Sequence, residues 1–221
     1  MDSETKETLE ELRLTGKRAL AFDRFIMRRA WGVYYAVWAL AISLFIFLPW
    51  IIVPLTPENE RWIAFPVAYI SVAILATISV SRNFANAQRA IDLRRSLGGD
   101  SMVSKRNAYL YFLGWFAVII LMVLLSYDYR SEIEVALFSG LLFGIDVYVY
   151  LMLKRHFVNI PVEGKLAVSF FAISTFGGVI GAILTGNSTV YDLAWIPTIV
   201  AWLFAAIYTL YTAHEVLVSA N

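Results

Sequence analysis

The sequence predicts an all-α fold: a polytopic integral membrane helical bundle of six transmembrane helices, with N- and C-termini cytoplasmic and helical extensions on that side. Three observations lead there. Hydrophobic residues make up 60% of the 221 and charged residues 16%, where a soluble domain is about half apolar and about a quarter charged. The apolar residues come in blocks of roughly twenty, the length that crosses ~30 Å of hydrocarbon at ~1.5 Å per residue. The bases are then uneven: sixteen of the 18 Lys and Arg fall on alternate connecting segments and two on the others. The positive-inside rule puts the rich face in the cytoplasm.

Residues 1–29 form the first unit, an amphipathic arm in which Leu9, Leu12, Leu20 and Phe22 alternate with Glu7, Glu10, Glu11, Arg13, Lys17 and Arg18. Acids gather at its start and bases at its end, as a helix dipole favours. It reads as an ordinary packed helix or as a surface- or partner-binding one, because Phe22, Phe25, Ile26 and Met27 lie among Arg24, Arg28 and Arg29. Residues 30–221 are the six-helix transmembrane domain.

Span 1 covers 30–53. Trp31, Tyr34 and Tyr35 mark its inner interface and Trp50 its outer one. Pro49 is expected to bend its end. Span 2 covers 62–80, with Pro66 in its first turns. Phe84, Ala87 and Ile91 continue at helical spacing, which predicts an extension over 81–97 that stops at Gly98-Gly99 and can pair with the arm. Arg82, Arg89, Arg94 and Arg95 crowd this extension. They are either a solvated, orientation-setting face or a contact for anionic lipid or a partner. Span 3 (108–126), span 4 (135–153), span 5 (166–184) and span 6 (193–213) follow. Short outer turns make three antiparallel hairpins of them.

Asp146 is the chemical anomaly. It is the one ionisable residue deep in an apolar run, VALFSGLLFGIDVYVYLML over 135–153, and it stands eight residues from Lys154. Helical rise puts it ~12 Å inside the inner boundary. A charge at that depth costs ~3 kcal/mol or more, so it is a functional candidate. Counting from inner span ends places Ser174, Thr175 and Tyr208 at the same level, and Tyr150 is one turn away on the same helix. With no cation at that level, the neutral acid hydrogen-bonded to these hydroxyls is the expected form. Asp146, Ser174, Thr175, Tyr150 and Tyr208 then read as a binding or proton-coupling set. The plainer reading is an interhelical anchor or a contact with a partner subunit. Gly140 with Gly144, and Gly177 with Gly181, are GxxxG pairs that favour close packing of spans 4 and 5, or a homodimer.

The rest of the sequence excludes more than it adds. The absence of cysteine removes disulfides and thiolate chemistry. A net charge of +1 gives no reason to expect nucleic acid. No phosphate loop, zinc signature, nucleophile elbow or potassium filter is present. His156 and His214 stand at inner helix ends without metal spacing, and no histidine at membrane depth is available for haem. The first apolar run begins near Ala30 behind a mixed-charge arm, unlike a cleavable signal. No catalytic set, cofactor or metal is expected. The leading expectation is a small transporter, channel or transport-associated subunit of the cell membrane. The alternative is a structural or assembly subunit of a larger membrane complex, docked through the arm and the Arg-rich extension. The expected partners are the lipid bilayer and a second copy or a larger complex.

Overall fold

The computed structural model describes residues 3–97, 132–157, 159–187 and 189–218. Among them every regular element is helical: α1 (Ser3–Leu55), a 3-10 turn (Glu58–Glu60), α2 (Arg61–Leu97), α3 (Glu132–His156), α4 (Val162–Thr185), α5 (Thr189–Leu193) and α6 (Ile196–Val218). Four stretches among the described residues are long and apolar enough to cross a membrane: Glu7–Leu55, Glu58–Leu93, Val162–Thr185 and Val190–Val216. The fourth predicted span is helical throughout, inside α3. The third, 108–126, lies outside the described residues.

The arm and span 1 are one rod. α1 runs 53 residues without a break, ~80 Å of helix. Residues 17 to 31 contain neither Gly nor Pro, so nothing in the sequence interrupts the helix where the arm meets the span. Pro49 lies inside the helix. It has no N–H to give the Phe45 carbonyl four residues back. The Tyr69 hydroxyl of α2 donates to that carbonyl instead, at 3.3 Å. Beyond it, Arg61 donates to the Val53 and Thr56 carbonyls at 3.0 and 3.2 Å. These are carbonyls that a helix end leaves without partners.

α2 returns antiparallel along α1 and continues to Leu97. Asn83 Nδ2 donates to the Ala30 carbonyl at 2.9 Å. The Phe84 ring meets Trp31 at 5.3 Å and Tyr34 at 6.3 Å between centroids. Ala87 and Ile91 are buried, as is Ala21 on the arm. The extension is therefore helix packed on helix. On the other side α1 packs against α6, α6 against α4, and α4 against α3. A Cβ added to Gly32 would come within 2.7 Å of Leu210 Cγ, so α1 and α6 approach as closely as a glycine allows. α4 ends at Gly186, whose φ of 63° is the left-handed cap that glycine adopts without strain.

Alanines recur at the buried helix contacts, and large apolar side chains cover much of the outside. Ala39, Ala76, Ala167, Ala205, Ala206 and Ala213 are buried, whereas Leu40, Phe47, Leu75, Ile183, Leu184 and Ile207 are exposed. Water would penalise such a surface. Lipid does not, and small side chains let helix backbones close on each other where no hydrophobic force drives them together. The chain is built as a membrane-embedded helical bundle.

Aromatic rings fill the middle. Trp31, Tyr34 and Tyr35 are buried, and Tyr34 and Tyr35 pack on Trp202 at 5.8 and 6.1 Å. Trp202 stacks on Phe171 at 5.5 Å. The sequence assigns the first three to the membrane–water interface. The structure buries all three between helices, with Phe84 of α2 and Trp202 of α6 against them. Trp50, at the other end of the span, is exposed as the aromatic belt expects.

Candidate functional site

Two carboxylates are buried among the described residues, and each was built into the fold differently. Asp146 comes from α3. Leu142, Ile145, Val149 and Leu153 recur at helical spacing and form the buried face of that helix. Asp146 lies on the same face and is 5% exposed. Among the described residues no hydrogen bond or ion pair reaches its carboxylate.

The hydroxyls that residue counting places at its level are engaged elsewhere or face outward. Thr198 Oγ1 of α6 hydrogen-bonds both the Phe170 carbonyl at 2.8 Å and Ser174 Oγ at 2.7 Å. Thr175 Oγ1 donates to the Phe171 carbonyl of its own helix at 2.9 Å. Ser174 and Thr175 are thus brought together in the buried part of α4, with Ser174 tied to α6. Tyr150 and Tyr208 are exposed, the latter stacked on Phe204 at 6.0 Å. The structure does not bring them to that interface.

The glycines divide in the same way. A Cβ on Gly140, Gly144 or Gly177 would meet nothing within 4 Å. A Cβ on Gly181 would lie 2.8 Å from Val190 Cγ1, and one on Gly178 would lie 3.1 Å from both Ala194 and Tyr191. The tight glycines of α4 therefore receive the segment that turns into α6. Arg82 and Arg89 are exposed on the α2 extension, while the side chains of Arg94 and Arg95 lie outside the described residues.

The second carboxylate, Glu163, is not singled out by sequence reasoning. It sits in the first turn of α4 behind Pro161, where the helix dipole favours an acid. It is 3% exposed. Arg28 Nη2 of α1 donates to Glu163 Oε1 at 2.5 Å and to Thr212 Oγ1 of α6 at 2.7 Å. One guanidinium thus joins three helices. The Tyr35 hydroxyl reaches the same place, 3.2 Å from where a Cβ on Gly164 would stand. A larger residue there would displace the phenol. Four residues on, the Ala167 carbonyl accepts a 2.8 Å hydrogen bond from Trp202 Nε1. One signal was available: Glu163 is the only acid in the otherwise basic segment 154–165. Nothing comparable picks Arg28 out of the seven bases in the arm.

Chemically the two sites differ. The Arg28–Glu163 pair neutralises itself and positions helices. The Asp146 carboxyl has no such partner among the described residues. Among the described residues, no three His, Asp or Glu side chains gather in a way that could hold a metal ion. No protein-family model, curated protein or solved structure matches the chain.

Proposed function

We propose that the chain is a six-span protein of the cell membrane with both termini cytoplasmic. In this reading it is a small transporter, channel or transport-associated subunit, and Asp146 is its intramembrane binding or proton-coupling carboxyl. The carrying observation is the burial of Asp146 without a hydrogen bond or ion pair from any described residue. Intramembrane polar links contribute only ~0.6 kcal/mol on average even when made. An acid that makes none to the described helices is not accounted for by their packing, and a costly residue of that kind points to a pathway. Ser174, Thr175, Tyr150 and Tyr208 are the hydroxyls at its level in this reading. Arg82, Arg89, Arg94 and Arg95 contact anionic lipid or a partner. Gly140, Gly144 and Gly177, with open space beside their described surroundings, offer close approach to another membrane helix.

The test is flux. Purified protein is reconstituted in liposomes under imposed proton and cation gradients, and the gradients are followed with a pH-sensitive dye. The native chain dissipates a gradient, and Asp146→Asn at equal folded yield does not. Equal flux from the two proteins removes Asp146 from the mechanism.

The second reading, a structural or assembly subunit of a larger complex, is favoured by the arm. Leu9, Leu12 and Leu20 are exposed on the first part of α1, an apolar stripe suited to a protein partner. Stoichiometric co-purification with a larger complex in mild detergent, together with a silent Asp146→Asn, selects it.

A further inference from the structure

We infer that the Arg28–Glu163–Thr212 junction is a latch: it holds the start of α4 closed against α1 and α6, and its release opens a water path to Tyr35. The inference rests on four observations and is independent of any transport role for Asp146. First, Arg28 and Glu163 are 135 positions apart, and their pair is a polar bond from α1 to the start of α4. Second, Glu163 stands in the first turn of α4, where the sequence places the inner membrane boundary and where water is within reach once that helix start moves. Third, the closed arrangement leaves donors unmet. Tyr35 Oη and Arg28 Nε are buried and have no hydrogen-bond partner among the described residues. A buried donor without an acceptor carries a penalty that hydration removes. A hydrated open form therefore gains what the closed form lacks, which narrows the gap between them. Fourth, the fit is close but unbonded at the centre: the Tyr35 hydroxyl lies 3.2 Å from where a Cβ on Gly164 would stand, so a small outward movement of α4 frees it.

A latch differs from a structural pair in what its loss does. Losing either weakens the whole fold, but losing a latch also shifts a local equilibrium, by as much as the pair discriminates between the two forms. Charges buried as pairs are often no better for stability than apolar residues of the same size, so control of conformation is a reason to keep one.

The chain has no cysteine, which makes the test clean. Ala167 stands one turn beyond Glu163 on α4 and is 1% exposed. Ala167→Cys is introduced, the protein is placed in lipid nanodiscs open on both faces, and reaction with a charged methanethiosulfonate is timed. Gly16→Cys, at an open position on the arm, supplies the rate of an exposed thiol. The expected result is slow labelling of Cys at 167, accelerated about tenfold by Glu163→Gln as the open population grows. The charge exchange Arg28→Glu with Glu163→Arg returns the rate to within about threefold of the parent. A Glu163→Gln rate equal to the parent's overturns the latch. So does an exchange variant that stays fast, or a parent thiol already as reactive as that at position 16. If Glu163→Gln yields no folded protein, Arg28→Lys replaces it. This variant keeps the charge but loses the fork that holds Glu163 and Thr212 together. Faster labelling supports the latch, and an unchanged rate overturns it.

Discussion

Glu163 and Asp146 are both nearly sealed from solvent, at 3% and 5% exposure, yet they stand in opposite relations to the fold. Glu163 has a guanidinium at hydrogen-bond distance, a helix N-terminus beneath it and a third helix joined through the same arginine. Asp146 has apolar neighbours along its own helix and no bond from any described residue. Burying a charge is costly, and the cost is met only where a partner and good geometry are supplied. Glu163 is thus explained by its surroundings, whereas Asp146 is not. The comparison turns into measurements, because deleting a paired charge and deleting an acid with no described partner should act on stability in different ways.

The largest effect is expected at the paired site. Glu163→Gln strands the Arg28 guanidinium, and breaking a buried pair costs ~3–5 kcal/mol. Arg28 retains 21% exposure, which lets water recover part of this, so a loss near the lower end, ~3 kcal/mol, is expected. Unfolding in lipid nanodiscs or mixed micelles measures it. A loss below ~1 kcal/mol would place the pair with surface ion pairs and erase the contrast with Asp146.

A steric perturbation of the same junction comes next. Gly32 lies four residues from Arg28 and meets Leu210, two residues from Thr212. Gly32→Val drives a branched side chain into a space where a single Cβ already comes within 2.7 Å of Leu210. Overpacking of this kind costs ~1–3 kcal/mol. Gly177→Ala is the control, since its Cβ meets nothing within 4 Å. Relief of glycine's helical penalty leaves that variant equal or more stable by ~0.5–1 kcal/mol. If both substitutions behave alike, the α1–α6 approach does not limit the junction.

A neutral bond should count for less. Thr198→Val removes the hydroxyl that links α6 to Phe170 and Ser174. Hydrogen bonds between membrane helices average ~0.6 kcal/mol, and a loss of ~1 kcal/mol or less in the same unfolding assay is expected. A loss as large as that of Glu163→Gln would mean that hydroxyl pairing, rather than the ion pair, holds α4 in place.

Much of this arrangement was legible in the residues. Block length marks the apolar helices, and Phe84, Ala87 and Ile91 foretell that α2 runs past its apolar segment to pack on the arm. The rest fails for a geometric reason. Counting residues from a helix end fixes level but not azimuth. Tyr150 is one turn from Asp146, a rotation of ~40° at ~3.6 residues per turn, and that is enough to leave the buried face. Ser174 shares the level but turns toward Thr198. The same limit applies to Trp31, Tyr34 and Tyr35. Their distance from the span end suggests a level, but not that neighbouring helices bury all three. Arg28 and Glu163 are worse still, since no local pattern links positions 135 apart.

The smallest stability effect, and the most informative one, belongs to Asp146. Asp146→Asn keeps the shape of the side chain and removes its ability to ionise. With no described bond to break, folding should change by no more than the ~0.6 kcal/mol that an intramembrane polar link contributes on average. Asp146→Leu should be as stable as the native chain or more so, since it relieves the cost of an acid in an apolar helix. Gradient dissipation should nevertheless be lost in both. A stable protein that has lost flux means that Asp146 is retained for work at the cost of stability. A drop in stability comparable to that of Glu163→Gln would instead show that Asp146 has a structural partner. The two carboxylates would then belong to one class, and the case for Asp146 as a coupling residue would end.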